Sequence, residues 1–395
     1  MPKLPVSSHD DDADDYIEDS QIQALADLAL SLATLSETAP AYQERRKDIR
    51  KIIRKSLHQQ KDELLYEALE RVRETNLDAY ALLKEAIEED AESVSFQRGE
   101  KQFEVNAFVI PMFVRTLGGL HEAQNFQNDE AFSALTQSLK TAQLESPDAT
   151  VVLVSHAYHL DEIDAITYSH LDAMVRDAFA AMTDKKVQAT LAIDRSMSGW
   201  PENRFAADDV AVELRFLLGF ALKKADDPFY AIPSEEAAMD AYFAQRAQRF
   251  QQWSEQVVPV LHACLAAPER EFDVHFLYQD MFHGGKERGI AEYFMLQMMS
   301  DLDHGLQQAG VAASQTQAVI GAADNGGDAV LRVQVLGSDG RVLATAEKPL
   351  DLGRDMESEV DDASDALLTM GVKSVALAAG FDADGKALDV QPYAS

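Results

Sequence analysis

The spacing of apolar residues changes at Ser93, from intervals of three and four to intervals of two, so the chain must build helices before that point and strands after it. Upstream, Ile22, Leu25, Leu28, Ala29, Leu32 and Leu35 fall on one helical stripe. A second helix from near Ala41 carries Ile49, Ile52, Ile53 and Leu57. A third helical region, 61–91, carries Leu64, Leu65, Ala68, Leu69, Val72, Tyr80, Leu83 and Ile87, with a break expected around Asn76. Downstream, Val94-Ser95-Phe96 and the run Phe103 to Ile110 flank a turn centred on Gly99 and read as a hairpin whose second strand becomes buried towards Pro111. A helix over 129–144 follows.

From Thr150 the same order of elements occurs twice, a weak internal repeat. The first copy reads strand 151–154, helix 163–182, strands 187–194 and 210–220, helix 235–266. The second reads strand 272–277, helix 286–308, strands 316–322 and 329–336, helix 356–369, then a last strand over 372–378. An extra strand, 341–346, returns across the turn Gly337-Ser338-Asp339-Gly340 as the outer arm of a hairpin. The expected fold class is α+β: an N-terminal helical layer followed by two weakly repeated βαββα units in ferredoxin-like order, with mixed or antiparallel sheets. The expected organisation is a disordered acidic tail over 1–19, the helical layer over 20–92, a first α+β unit over 93–266 and a second over 267–395.

Charge narrows the partners. Asp and Glu number 68 against 35 Lys and Arg, a formal net charge of -33. Affinity for phosphate backbones comes from Lys and Arg displacing counterions, so this balance argues against nucleic acid and anionic membranes. The single cysteine, Cys264, excludes an intrachain disulfide and a cysteine-based zinc cluster, and its apolar helical context reads as a buried structural thiol. The N-terminus shows no signal-peptide pattern, and no apolar run approaches the roughly 20 residues of a membrane span, so a cytoplasmic protein is expected.

The helical layer leading through Glu92-Ser93-Val94-Ser95-Phe96 into Phe103-Glu104-Val105 and Ile110-Pro111 resembles a family of uncharacterised bacterial proteins, a domain of unknown function. Phe216-Leu217-Leu218-Gly219 and Phe272-Asp273-Val274 fit the same resemblance, which extends over most of the chain. The resemblance implies neither an activity nor site residues.

Two strand-to-helix loops collect the unusual polar residues. The first runs Ser155-His156-Ala157-Tyr158-His159-Leu160-Asp161-Glu162, where His156, His159 and Asp161 are a candidate set for a divalent metal. Alternation along a strand places His156 and His159 on opposite faces, and a closed site needs more ligands than this spacing supplies. The plainer reading is a polar strand exit with Asp161 and Glu162 favoured at a helix N-terminus. Ser155 beside His156 is discounted as a nucleophile and base, since adjacent strand residues point apart and no nucleophile elbow is present. The second loop, 278–288, holds His283, Gly284, Gly285, Lys286 and Arg288, a pattern able to meet an anion but without the spacing of a P-loop or dinucleotide fold.

A basic helix carries Arg45, Arg46, Lys47, Arg50, Lys51, Arg54 and Lys55. It reads as a solvated amphipathic face, which the acidic tail from Asp10 to Asp19 could cover. Tyr293, Phe294, Met295, Met298 and Met299 form a Met-rich patch that reads as core. Together these features point to a non-catalytic cytoplasmic protein without a cofactor, binding a protein partner, a second copy of itself or a small ligand through the strand-to-helix loops. The alternative is a metal-dependent hydrolase using His156, His159 and Asp161.

Overall fold

The computed structural model describes residues 9–116, 120, 124–183, 212–266, 272–277, 285–350 and 356–393. The strand expected at 187–194 lies outside them, as do residues 1–8 of the expected tail. The chain divides into two compact units, 1–289 and 290–395.

Four helices open the first unit: α1 (His9–Ala33), α2 (Pro40–His58), α3 (Asp62–Arg73) and α4 (Leu77–Glu92). The stripes read from the sequence form their shared core, with Leu25, Ala29, Ile49, Ile53, Leu64, Leu65, Leu83 and Ile87 buried. Each buried Leu or Ile side chain stabilises the layer by roughly 1.5–3 kcal/mol relative to exposure. Pro40 opens α2, where its missing N–H is no loss. The break expected near Asn76 is real: its side chain accepts the Ala79 N–H at 2.9 Å and caps α4. Helix α1 begins at His9, inside the segment expected to be a disordered tail.

Five antiparallel strands form the first sheet: β1 (Ser93–Arg98), β2 (Lys101–Thr116), β3 (Thr150–His159), β4 (Val212–Lys224) and β5 (Phe272–Phe276). Their order is β1-β2-β4-β3, with β5 also on β2. Gly99, at φ +67°, makes the β1–β2 turn that a residue with a Cβ would strain. Pro111 lies between Asn106, where pairing with β1 ends, and Met112, where pairing with β5 begins, and on that side of β2 it serves as an acceptor, its carbonyl taking the Leu277 N–H at 3.2 Å.

Helices α5 (Asp129–Thr141) and α8 (Glu236–Cys264) supply Leu135, Leu139, Phe250, Trp253, Val257 and Leu261 to a core shared with Phe108, Ile110, Met112 and Leu217. Helix α6 (Leu160–Asp164) is a single turn after β3, and α7 (Tyr168–Thr183) packs against β1 to β4 and against α4. The helical layer is pinned to α7 by Asp62, whose carboxylate accepts the Ser169 N–H at 2.8 Å and the Thr167 hydroxyl at 3.0 Å. An α3 residue thus caps the start of α7, and helical layer and sheet make one unit.

At Gly219 of β4 the ring of Phe108 fills the place of a side chain: a Cβ would collide with Phe108 Cζ and stand 2.7 Å from Leu153 Cδ2. Gly219→Ala is expected to lose about 1–3 kcal/mol in urea unfolding by overpacking. Adding Phe108→Leu should recover part of that loss, and equal stability of Gly219→Ala and wild type would refute the close packing.

The second unit carries β6 (Gln317–Asn325), β7 (Asp328–Leu336), β8 (Val342–Pro349), β9 (Ser374–Leu377) and β12 (Gln391–Pro392), in the order β12-β9-β6-β7-β8. Helix α9 (Gly285–Ala309), whose first turn belongs to the first unit, supplies Met298, Leu302 and Leu306 to one face. Helix α10 (Met356–Met370) adds Ala363 and Leu367, against Ile320, Leu331, Val333 and Val335. The Met-rich patch therefore is core at Met298. A two-strand hairpin, β10 (Gly380–Phe381) with β11 (Ala387–Leu388), meets the other face, where Arg332 lies 5.3 Å from the Phe381 ring and Gln334 donates to the Gly385 carbonyl at 2.7 Å. On edge strand β8, Lys348 turns inward to a buried ion pair with Glu359, and Pro349 follows it.

The α+β class and the mixed and antiparallel sheets are as expected. The ferredoxin-like arrangement is not what the second unit adopts. Its expected first strand, β5, pairs with β2 of the first sheet, Met112 opposite Phe276, and β9 runs parallel to β6. The reason is aromatic: Phe276 packs 5.0 Å from Trp253 and 6.3 Å from Phe250, inside the first core. The compact units part after Gly289, with residues 20–92 inside the first of them.

Candidate functional site

The polar cluster begins with an irregularity in β3. Leu153 pairs with Gly219 and Ala157 with Leu217, so four steps along β3 match two along β4. Such bulges bend a strand and re-aim its side chains. Here the bulge contains Val154, Ser155 and His156, and it defeats the simple alternation that set His156 and His159 apart.

One buried carboxylate gathers both histidine positions. Glu162, in α6, lies 2.9 Å from His156 Nε2 and accepts the backbone N–H of His159 at 2.7 Å. A carboxylate only accepts, so the Nε2 of His156 carries the proton. The His156 ring stands edge-on to Tyr158 at 4.7 Å. The side chains of His156 and His159 are 20% and 18% exposed, enough for one edge of each to be reached from solvent.

Behind this lies a second, fully enclosed pair. Arg215 is wholly buried, donates from Nε to Glu213 at 2.8 Å, and donates from Nη1 to the Ala157 carbonyl at 3.0 Å. Glu213 also receives the Leu120 N–H at 3.4 Å, and His159 Nε2 is 3.9 Å from it. The arginine ties β4 to β3 immediately after the bulge and so fixes the strand that presents the histidines.

The opening turn of α9 meets the short helix that follows β3. Lys286 Nζ is 2.8 Å from Asp164 Oδ1, which joins the opening turn of α9 to α6. Beside it Glu92, half-buried at the last position of α4, has its carboxyl pushed up from 4.5 to about 8 by burial, then by Glu287 and Glu88, against the opposite pull of Lys286 and Lys84. Tyr168 is likewise raised by burial and by the same glutamates.

Of the residues singled out from sequence, His156, Lys286 and the backbone of His159 enter this network. Asp161 and Arg288 are exposed, and His283 lies outside the described residues. Among the described residues no three His, Cys, Asp or Glu side chains are grouped to hold a metal ion, and Glu162 already occupies the Nε2 of His156. Glu213, Arg215 and Glu92 were missed. The one available signal was the sequence Glu213-Leu214-Arg215, two charges of opposite sign two apart, ahead of an apolar run from Phe216 to Leu222.

The other candidates resolve as structural features. Cys264 is buried, and burial pushes its thiol up to about 11, which suppresses the reactive thiolate. In the basic helix, Arg50 and Arg54 converge on buried Asp90 at 2.6 and 3.0 Å, and Arg46 meets Glu89 at 3.0 Å. Arg45, Lys47, Lys51 and Lys55 are exposed. Among the described side chains, the partners seen on this helix are the acids of α4. Glu18 and Asp19 meet Lys61 and Arg71 instead, at 3.3 and 2.5 Å, because α1 lies along α3.

Among the described residues no helix is long and apolar enough to cross a membrane. The model of a family described as "Protein of unknown function (DUF2863)" matches residues 16–325, which takes in the first unit and runs to the end of β6. No curated protein and no solved structure matches the chain.

Proposed function

We propose, from the premise that the chain belongs to the DUF2863 family, that it is a binding protein whose ligand contacts the surface built by α6 and the opening turn of α9. The Lys286–Asp164 ion pair carries this reading, because it brings the starts of two helices, distant in sequence, onto one surface. Paired loops at strand ends are a common location for ligand sites. The reading is of binding and not turnover because the acid–base groups are committed internally: Glu162 to His156 and the His159 N–H, Glu213 to Arg215. His156 contributes its partly exposed ring edge, and Asp161 and Arg288 flank the surface with opposite charges.

Native mass spectrometry of the protein isolated from its own cells tests this. A retained small molecule or protein is expected in the wild type and lost, or at least tenfold reduced, in His156→Ala and Lys286→Ala. An adduct that survives both substitutions undiminished would place binding elsewhere and overturn the assignment.

A further inference from the structure

The bulge of β3 leaves His156 without an opposite residue on β4, since pairing stops at Leu153 and resumes at Ala157. The ladder therefore does not set the direction of its side chain, and two other contacts do. Both oxygens of Glu162, a buried residue, lie 3.0 and 2.9 Å from Nε2 of the ring. The Tyr158 ring stands perpendicular to it at 4.7 Å. Glu162 already serves α6 by accepting the His159 N–H at 2.7 Å, so its bond to His156 goes beyond what the cap of that helix needs.

A carboxylate on one ring nitrogen decides what the other can do. With Nε2–H donated to Glu162, Nδ1 of the neutral imidazole keeps its lone pair and is an acceptor. Among the described residues Nδ1 has no hydrogen-bond partner, and it is not one of the buried polar atoms left unsatisfied, so it meets solvent through the exposed part of the ring. The charge beside it selects the donor. Helix α6 carries Glu162, engaged with His156, Asp164, paired with Lys286 at 2.8 Å, and Asp161, which is exposed. An anion would meet the Nδ1 lone pair on the acidic side of the surface, whereas an ammonium group is favoured both by the lone pair and by the Asp161 charge.

We propose that the α6 side of the α6–α9 surface takes a protonated amine, with His156 Nδ1 accepting its N–H and Glu162 holding the ring in the accepting tautomer. This rests on the binding reading and names the ligand class of that same surface. Glu162 is a positioning residue here, because it acts on the ligand only through the imidazole. Asp161 contributes charge, and the bulge contributes the direction in which the ring is presented.

NMR of the full chain with isotope-labelled histidine nitrogens, at neutral pH, tests this with methylammonium chloride as the probe. Before the probe is added, the His156 ring is expected to show Nε2 protonated and Nδ1 unprotonated. Methylammonium should then shift the Nδ1 signal to saturation, while sodium acetate at the same ionic strength leaves it in place. Asp161→Asn should weaken the response to methylammonium roughly two- to fivefold, the range of one exposed ion pair. Glu162→Gln should lose the fixed tautomer and bring the two ring nitrogens towards a common shift, because an amide can face the ring with either its oxygen or its NH2. The comparison of the two salts uses wild type alone and does not depend on either variant folding. A protonated Nδ1, an Nδ1 signal that methylammonium leaves unmoved, or one that acetate moves equally would overturn the amine assignment. No native ligand enters these measurements, so that failure is separable from an adduct surviving Lys286→Ala, which overturns the surface itself.

Discussion

Arg215→Ala is expected to destabilise the protein by about 3–5 kcal/mol, the usual consequence of leaving one member of a buried ion pair without its partner. The guanidinium is wholly buried, and it satisfies both Glu213 and the Ala157 carbonyl. Without it, the Glu213 carboxylate remains enclosed, and its other neighbours among the described residues are the Leu120 N–H and the more distant His159 ring. Replacing both charges is a different matter. Glu213→Leu with Arg215→Met removes two desolvated groups together, and its loss should be smaller than that of Arg215→Ala, because the apolar pair no longer has a desolvation cost to offset. Urea unfolding of the three variants separates these cases. If Arg215→Ala and the double variant lose the same amount, the pair is not the compensating unit described. The same substitution should also shift the His156 and His159 ring signals in NMR spectra, since Arg215 anchors β3 directly after its bulge.

The second large effect concerns pH. Glu92 has its folded pKa raised to about 8 from 4.5, so the native state holds a proton that the unfolded chain has released over that interval. Its contribution to stability is therefore most favourable below about 4.5, declines as pH rises, and levels off above about 8. One pKa unit corresponds to about 1.4 kcal/mol. Allowing for solvent that reaches a half-buried carboxyl, the loss across the window is on the order of 3 kcal/mol. Glu92→Gln mimics the neutral acid, so it should match wild type near pH 4.5 and exceed its stability by that amount at pH 8.5. The difference between the two unfolding free energies cancels the other titrating groups. A constant difference across the range would show that Glu92 does not carry the proton.

The helical layer was legible because its apolar residues keep one period for seventy residues and its breaks coincide with local chemistry, Pro40 at the start of α2 and Asn76 at the cap of α4. The hairpin at Gly99 was legible for the same kind of reason, a local one. The pairing of β5 was not. A five-residue strand states that it needs an edge but not which one, and the choice was made by Phe276 finding Phe250 and Trp253. At the site, the polar character of 155–162 was visible, yet its geometry depends on a register shift that spacing does not encode. Glu213 and Arg215 were hidden because charge in a strand ordinarily marks the solvent face, and only the fold shows that the two satisfy each other inside. The basic helix gave the opposite lesson. Its residues were plain, but their partners, Glu89 and Asp90, lie on another helix, and no periodicity links the two.

The outer strand of the second sheet has a consequence for self-assembly. An open strand edge is a template on which a further chain can add, and proteins blunt it with inward-facing charges and prolines. Leu350 donates its N–H to Ala329 across the ladder, so the preceding residue would direct its N–H outward, and that residue is Pro349. An incoming strand would find no donor there, and flattening β8 to accept it would pull Lys348 from Glu359. At this edge the molecule is built to end its sheet, which directs any association of copies to other surfaces and protects the folded chain against templated, fibre-like growth.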